Sequence, residues 1–200
     1  MIGLAKWIGR LRKESLIQDV RRERMKEFFK DALKLPYKPN SQLNPEHENQ
    51  IKDLLKKHGL KYKPQPNGPQ QSPDFHVNHN GKVISLECKS SKDPKPIYNG
   101  GLPKKGVVYI FTSKKYNETT LYFAEDVVSD KKRELYDKYL METNQILKKY
   151  QALDEWNDDD RGFDFYNRSM YTQKGNAEKT DYFKHENRKR CEQRVLNYKW

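Results

Sequence analysis

Apolar side chains at Leu4, Ile8, Leu11, Val20, Met25, Phe28 and Ala32 recur at mostly helical intervals, with Arg10, Arg12, Arg21, Arg22 and Arg24 between them. The spacing predicts one or two amphipathic helices whose apolar side packs on the rest of the domain. Three prolines in LPYKPNSQLNP then interrupt the pattern. Asn44 is a fitting N-cap with Pro45 at the first helical position, and a helix from about Pro45 to His58 should end at Gly59. The following KYKPQPNGPQQSP, rich in Pro, Gln and Asn, reads as an exposed loop.

Beyond residue 73 the pattern changes to β-branched and aromatic runs, which predict strands at about 74–79, 82–89, 107–112 (VVYIFT) and 120–125 (TLYFAE). Between the second and third lies DPKPIYNGGLPKKG, a loop whose length asks for a role. Val127, Val128, Leu135, Tyr139, Ile146 and Leu147 suggest one long helix from about 125 to 150. The polar and aromatic segment 154–176 reads as irregular, and a basic helix from about 177 to 196 follows. These elements make an α/β domain with four to five strands. At 200 residues a single domain is the expectation, with N-terminal helices in 1–35, a core in 44–125 and a helical and loop part in 126–200.

The segment SPDFHVNHNGKVISLECKSSK carries the most information. Asn-Gly between two strand-like runs is a strong hairpin signal. With Asn80 and Gly81 as the turn, His79 pairs with Lys82, and counting outward sets Asp74 directly opposite Glu87. Alternation then gives one face Asp74, His76, Asn78, Val83, Ser85, Glu87 and Lys89, and the other Phe75, Val77, Ile84, Leu86 and Cys88. Opposed carboxylates repel. A divalent cation reached by both would offset that repulsion, and Lys89, one pleat further on the same face, could meet a water beside it. The same three charges could instead form an exposed ion-pair cluster of little energetic consequence.

Charge widens the picture. Forty Lys and Arg oppose 28 Asp and Glu, a formal net charge of +12, which makes nucleic acid the first partner to consider. Cys88 and Cys191 are the only cysteines and no zinc-ligand spacing occurs, which suits a reducing cytoplasm. No apolar run has transmembrane length, and the charged N-terminus lacks the apolar stretch of a signal peptide, so no membrane association is expected.

Pro73-Asp74, twelve residues, then Glu87-Cys88-Lys89 resembles the signature of the PD-(D/E)XK nuclease superfamily, which includes many type II restriction endonucleases. The resemblance covers about residues 44–112. Glu48 adds to it: the order E-x-x-I-x-x-x-L-x-x-x-G places Glu48 on the apolar face of the preceding helix with Ile51 and Leu55, where superfamily members often direct an acid at the active site. An ordinary first-turn acid complementing the helix dipole is the alternative for Glu48. The resemblance implies a mixed sheet flanked by helices and Mg²⁺-dependent hydrolysis of double-stranded DNA, with one or two ions per site. Asp74, Glu87 and the backbone carbonyl of Cys88 would be metal ligands. Lys89 would position the water and stabilise developing charge, and Glu48 would bind a second ion or orient the nucleophile.

Ser90, Ser91 and Lys92 follow the motif where a phosphate backbone could lie. Asn99, Lys104 and Lys105, and beyond them Asn157, Arg161, Asn167, Arg168 and Gln173, carry groups suited to base edges. Arg188, Lys189, Arg190 and Arg194 suit phosphates. Symmetric double-strand cutting implies a homodimer; a monomer nicking each strand in turn is the alternative. Repair, homing and junction-resolving nucleases of the same superfamily would share these residues, and a non-catalytic nucleic-acid-binding protein would share the charge. A GIY-YIG reading of Gly106-Val107-Val108-Tyr109-Ile110 fails for want of the second glycine, and an HNH reading of His76, His79 and Asn80 fails because Asn80 is the turn.

Overall fold

The computed structural model describes residues 23–39, 45–69, 71–98, 101–158, 160–167 and 171–200. The expected helices before residue 23, together with Asn44, Asn99 and Arg168, lie outside these residues. Residues 23–32 form helix α1, whose Met25, Phe28, Phe29 and Ala32 are fully buried. Helix α2 spans Glu46–Lys57, with Pro45 at the cap rather than inside the first turn. It ends as its glycine predicts: Gly59 takes φ 59°, its N–H donates to the Lys56 carbonyl, and the Leu60 N–H donates to the Leu55 carbonyl.

One five-stranded mixed sheet follows in the order β1-β2-β3-β4-β5, flanked by helices. β2 (Phe75–His79) and β3 (Lys82–Ser91) pair antiparallel with Phe75 opposite Leu86 and His79 opposite Lys82, the register counted from the turn. Asn80 and Gly81 both have positive φ (52° and 74°), as a type I′ turn requires. β4 (Val107–Ser113) pairs parallel with β3 and antiparallel with β5 (Glu118–Phe123). A parallel neighbour needs a crossover, which accounts for the length of the 92–106 connection. β4 is buried along its whole length, as a central strand covered on both faces should be.

Several boundaries differ from the sequence reading. Lys61–Pro64, expected as loop, form edge strand β1 beside β2, where a proline is tolerated because only one side of the strand must pair. β5 starts earlier and stops at Phe123, and Ala124–Val127 turn into a short helix, α3. The long helix is therefore broken at Val128 and restarts as α4 (Asp130–Gln151), whose N-cap Ser129 accepts a hydrogen bond from the Lys132 N–H. The C-terminal helix is also two pieces, α5 (Ala177–Thr180) and α6 (Arg188–Leu196), separated by a turn in which the Asp181 carboxylate accepts from the Phe183 and Lys184 N–H groups.

The sheet separates two cores. On one face Phe75, Val77, Ile84, Leu86, Cys88, Val108, Ile110 and Leu121 pack with α1, α2, Val195 and Trp200. On the other, Tyr98, Tyr109, Phe111, Tyr122, Phe183 and Cys191 form a smaller aromatic cluster. Helix α6 contributes Val195 to the first and Cys191 to the second, and so closes the sheet at β5. No helix among the described residues is long and apolar enough to cross a membrane.

Candidate active site on the polar face of the β2–β3 hairpin

Strand alternation sends Ile84, Leu86 and Cys88 into the larger core, so Ser85, Glu87 and Lys89 face the opposite side. Asp74 immediately precedes β2 and is tied to β3: its Oδ2 accepts a hydrogen bond of 2.6 Å from the Cys88 N–H. No bulge intervenes between Asp74 and Glu87. Lys89 Nζ lies 2.7 Å from Glu87 Oε1, while Glu87 Oε2 is buried with no hydrogen-bond partner among the described residues. Glu87 is only 5 % exposed.

The electrostatics follow from this crowding. Burial, then the neighbouring Glu87, push the Asp74 carboxyl up to about 7. Burial, again with Glu87 next, raises Glu48 on the first turn of α2, so α2 does bring that acid to the site. Three carboxylates therefore share one ammonium, and full ionisation leaves two unbalanced negative charges. Cys88 contributes backbone only. Its thiol is buried in the apolar core, and burial, followed by the nearby Asp74, raises its pKa far above the ordinary thiol value.

His47, which helical spacing does not single out, belongs to the same constellation. Burial lowers its pKa to about 4, and a hydrogen bond with the Cys88 backbone opposes that shift, which identifies the ring as donor to the carbonyl. Its neighbour Glu48 lies 4.0 Å away. An i, i+1 helix pair does not share a face, so helical periodicity points to only one of the two. The available signal was a histidine next to an acid at the start of a helix leading into the hairpin.

A cleft of ≈ 450 Å³ opens on this face, lined by Glu87, Lys89, Ser72, Lys104, Tyr98 and Tyr109 among others. Lys104 spans it through its Nζ, 3.1 Å from the Ser72 carbonyl, and the Lys104 N–H donates to the Tyr109 hydroxyl. Tyr109 stands opposite Glu87 in the sheet and stacks on Tyr122 at 5.4 Å, giving the cleft a rigid aromatic floor.

Most of the expected DNA-contacting residues lie elsewhere. Ser90 falls on the strand face of Cys88, away from Lys89, and Ser91 is buried with its Oγ accepting from the Asp93 N–H. Lys105 pairs with Asp130 at the start of α4. Asn167 donates to Asn144 on α4, and Arg161 sits in the exposed segment following that helix. Gln173 donates its amide to the Pro96 carbonyl and so straps the crossover in place. Arg188 is held by Glu118 and Glu192 and stacks on Phe183, which makes it a structural cation; Arg190 is exposed.

Among the described residues no three His, Cys, Asp or Glu side chains form a ready-made metal cage. Mg²⁺ does not demand one, because it keeps several waters and takes one or two carboxylates. The unpartnered Glu87 Oε2 and the crowding of Asp74, Glu87 and Glu48 round one ammonium suit a hard divalent cation. No protein-family model, curated protein or solved structure matches the chain.

Proposed function

We propose that the protein is a Mg²⁺-dependent endodeoxyribonuclease of the type II restriction kind, cutting double-stranded DNA at a short specific sequence. The observation that carries this reading is the self-repelling pair of half-buried Asp74 and buried Glu87 beside Lys89, with Glu87 and Lys89 on the wall of an open cleft in a chain of net charge +12. Burying like charges costs stability, and an active site is where such a cost is retained.

Asp74, Glu87 and the Cys88 carbonyl would hold the cation, which when bound supplies charge neutralisation at a phosphodiester and acidifies a water. Asp74 keeps one oxygen on the Cys88 N–H and presents the other. Glu87 has Oε2 free of hydrogen bonds for the same purpose. Lys89, 29 % exposed at its side chain and lining the cleft, is placed to stabilise charge building on the phosphate oxygens and to orient the attacking water. Glu48, whose carboxyl burial and the nearby Glu87 push above the ordinary value, would bind a second ion or orient the nucleophile through a water. The hydrogen bond from His47 to the Cys88 carbonyl orients that carbonyl. Among the described residues, Lys104 is the one expected base-reading residue that lines the cleft.

The test is digestion of plasmid DNA with and without Mg²⁺. Discrete fragments with defined ends that disappear in EDTA support restriction. Cleavage confined to branched or damaged DNA assigns a repair or resolving role, and salt-sensitive binding without cleavage removes the enzymatic reading.

A further inference from the structure

Helix α4 has 22 residues and not one of them is buried. The segment after it folds back along one side. Gln151 bonds Asp164 and the Phe165 carbonyl, Asn144 bonds Asn167, and Tyr136 packs on Tyr171. Consistently, Tyr136, Leu140, Thr143, Leu147 and Gln151 are half-buried. Among the described residues a second apolar stripe is left open: Leu135, Tyr139, Ile146 and Tyr150 are 63, 61, 53 and 55 % exposed. At 3.6 residues per turn all four fall within an arc of about 60°.

We propose that this stripe is the contact surface for a second copy of the chain, whose α4 lies antiparallel across it. The first reason is self-complementarity. The four residues are spaced by four, seven and four positions, so a two-fold axis between residues 142 and 143 sets Leu135 against the second copy's Tyr150 and Tyr139 against its Ile146. The second reason is charge. Lys131 and Lys132, exposed at the start of α4, flank the stripe, whereas the tip beyond its end carries the exposed Asp154, Glu155, Asp158 and Asp160. Antiparallel pairing lays each acidic tip beside the other copy's lysines, and parallel pairing would set like against like. The third is area. Large side chains exposed to this degree hide roughly 100 Å² apiece, so eight of them, with Leu153 and the lysine stems, approach the ~1,000 Å² that a specific interface needs. The contact rests on α4 and the tip that follows it and is independent of the nuclease reading.

Sedimentation equilibrium on the full chain tests it. The parent is expected to dimerise reversibly, and Tyr139→Glu with Ile146→Glu to weaken the dimer by at least about 100-fold at unchanged circular dichroism, and at unchanged Tm where both chains are dilute enough to be monomers. Lys131→Glu with Lys132→Glu should weaken it about 10-fold at low salt, and adding Asp154→Lys with Glu155→Lys to the same chain should restore it. Orientation is read by disulfide trapping, since Cys88 and Cys191 are buried. Tyr139→Cys and Ile146→Cys chains should cross-link when mixed and not separately. A monomeric parent, a dimer indifferent to the Glu variants, or Ile146→Cys chains that link to themselves would each overturn the proposal. Loss of DNA binding by the Glu variants in a monomeric parent would reassign the stripe to nucleic acid.

Discussion

At the β2–β3 hairpin the protein buries charge, and along α4 it exposes apolar surface. Each reverses the ordinary partition of residues between inside and outside. Glu87 is 5 % exposed and Ile146 is 53 % exposed. The hairpin can hold its carboxylates because the reverse face of the same strands supplies Leu86, Val77 and Phe75 to the larger core. Helix α4 can expose its stripe because the half-buried side is anchored by Tyr136, Leu140 and Leu147 and by the returning segment. The two regions therefore differ in what a substitution should disturb: chemistry with little loss of fold at one, and association with little loss of fold at the other.

The largest expected effect is at the hairpin. Asp74→Ala and Glu87→Ala should abolish Mg²⁺-dependent cleavage, and Lys89→Ala should slow it by about 10²–10³-fold, measured as single-turnover rates on plasmid DNA. Parental rates in all three would remove the site assignment. Phe28→Ala, in the core beneath, should cost about 3–5 kcal/mol in urea unfolding, because a fully buried ring leaves a cavity. That variant separates loss of fold from loss of chemistry.

A subtler contrast comes from pH. Asp74 has a folded pKa of about 7 against 3.8 for the ordinary side chain, so between these values the native state holds a proton that the unfolded chain has released. The metal-free protein should therefore lose stability as pH rises from about 4 to about 7. Asp74→Asn should flatten that slope and raise the metal-free Tm, and Mg²⁺ should raise the Tm of the parent more than that of the variant. A parental slope in Asp74→Asn would mean that another group carries the titration. Smallest of all, Tyr139→Glu should shift the stability of the isolated chain by less than about 0.5 kcal/mol, since its side chain is 61 % exposed. A larger loss would show that α4 is packed more tightly than its exposure indicates.

Local chemistry determined the parts that were legible in the sequence. Asn80-Gly81 admits the positive φ values of a tight hairpin, and a two-residue turn leaves one register, so the opposition of Asp74 and Glu87 and the polar and apolar faces follow by counting. Gly59 ends α2 for the same reason. Tertiary structure decided what depends on partners distant along the chain. Lys61–Pro64 became a strand because β2 offered an edge, and Ser129 interrupted a helical pattern because the chain had to leave β5. His47 reached the Cys88 carbonyl, and Tyr109 and Tyr122 stacked beneath the cleft, only once α2 and the β4–β5 pair had packed. Arg188 and Gln173, expected at DNA from their chemistry, also make internal bonds, to Glu192 and to the Pro96 carbonyl. Backbone conformation and alternation are properties of neighbouring residues and can be read in order along the chain. Burial, pKa and the choice of ion-pair partner arise from the fields of residues far away in sequence, and take definite values only when the fold has brought them together.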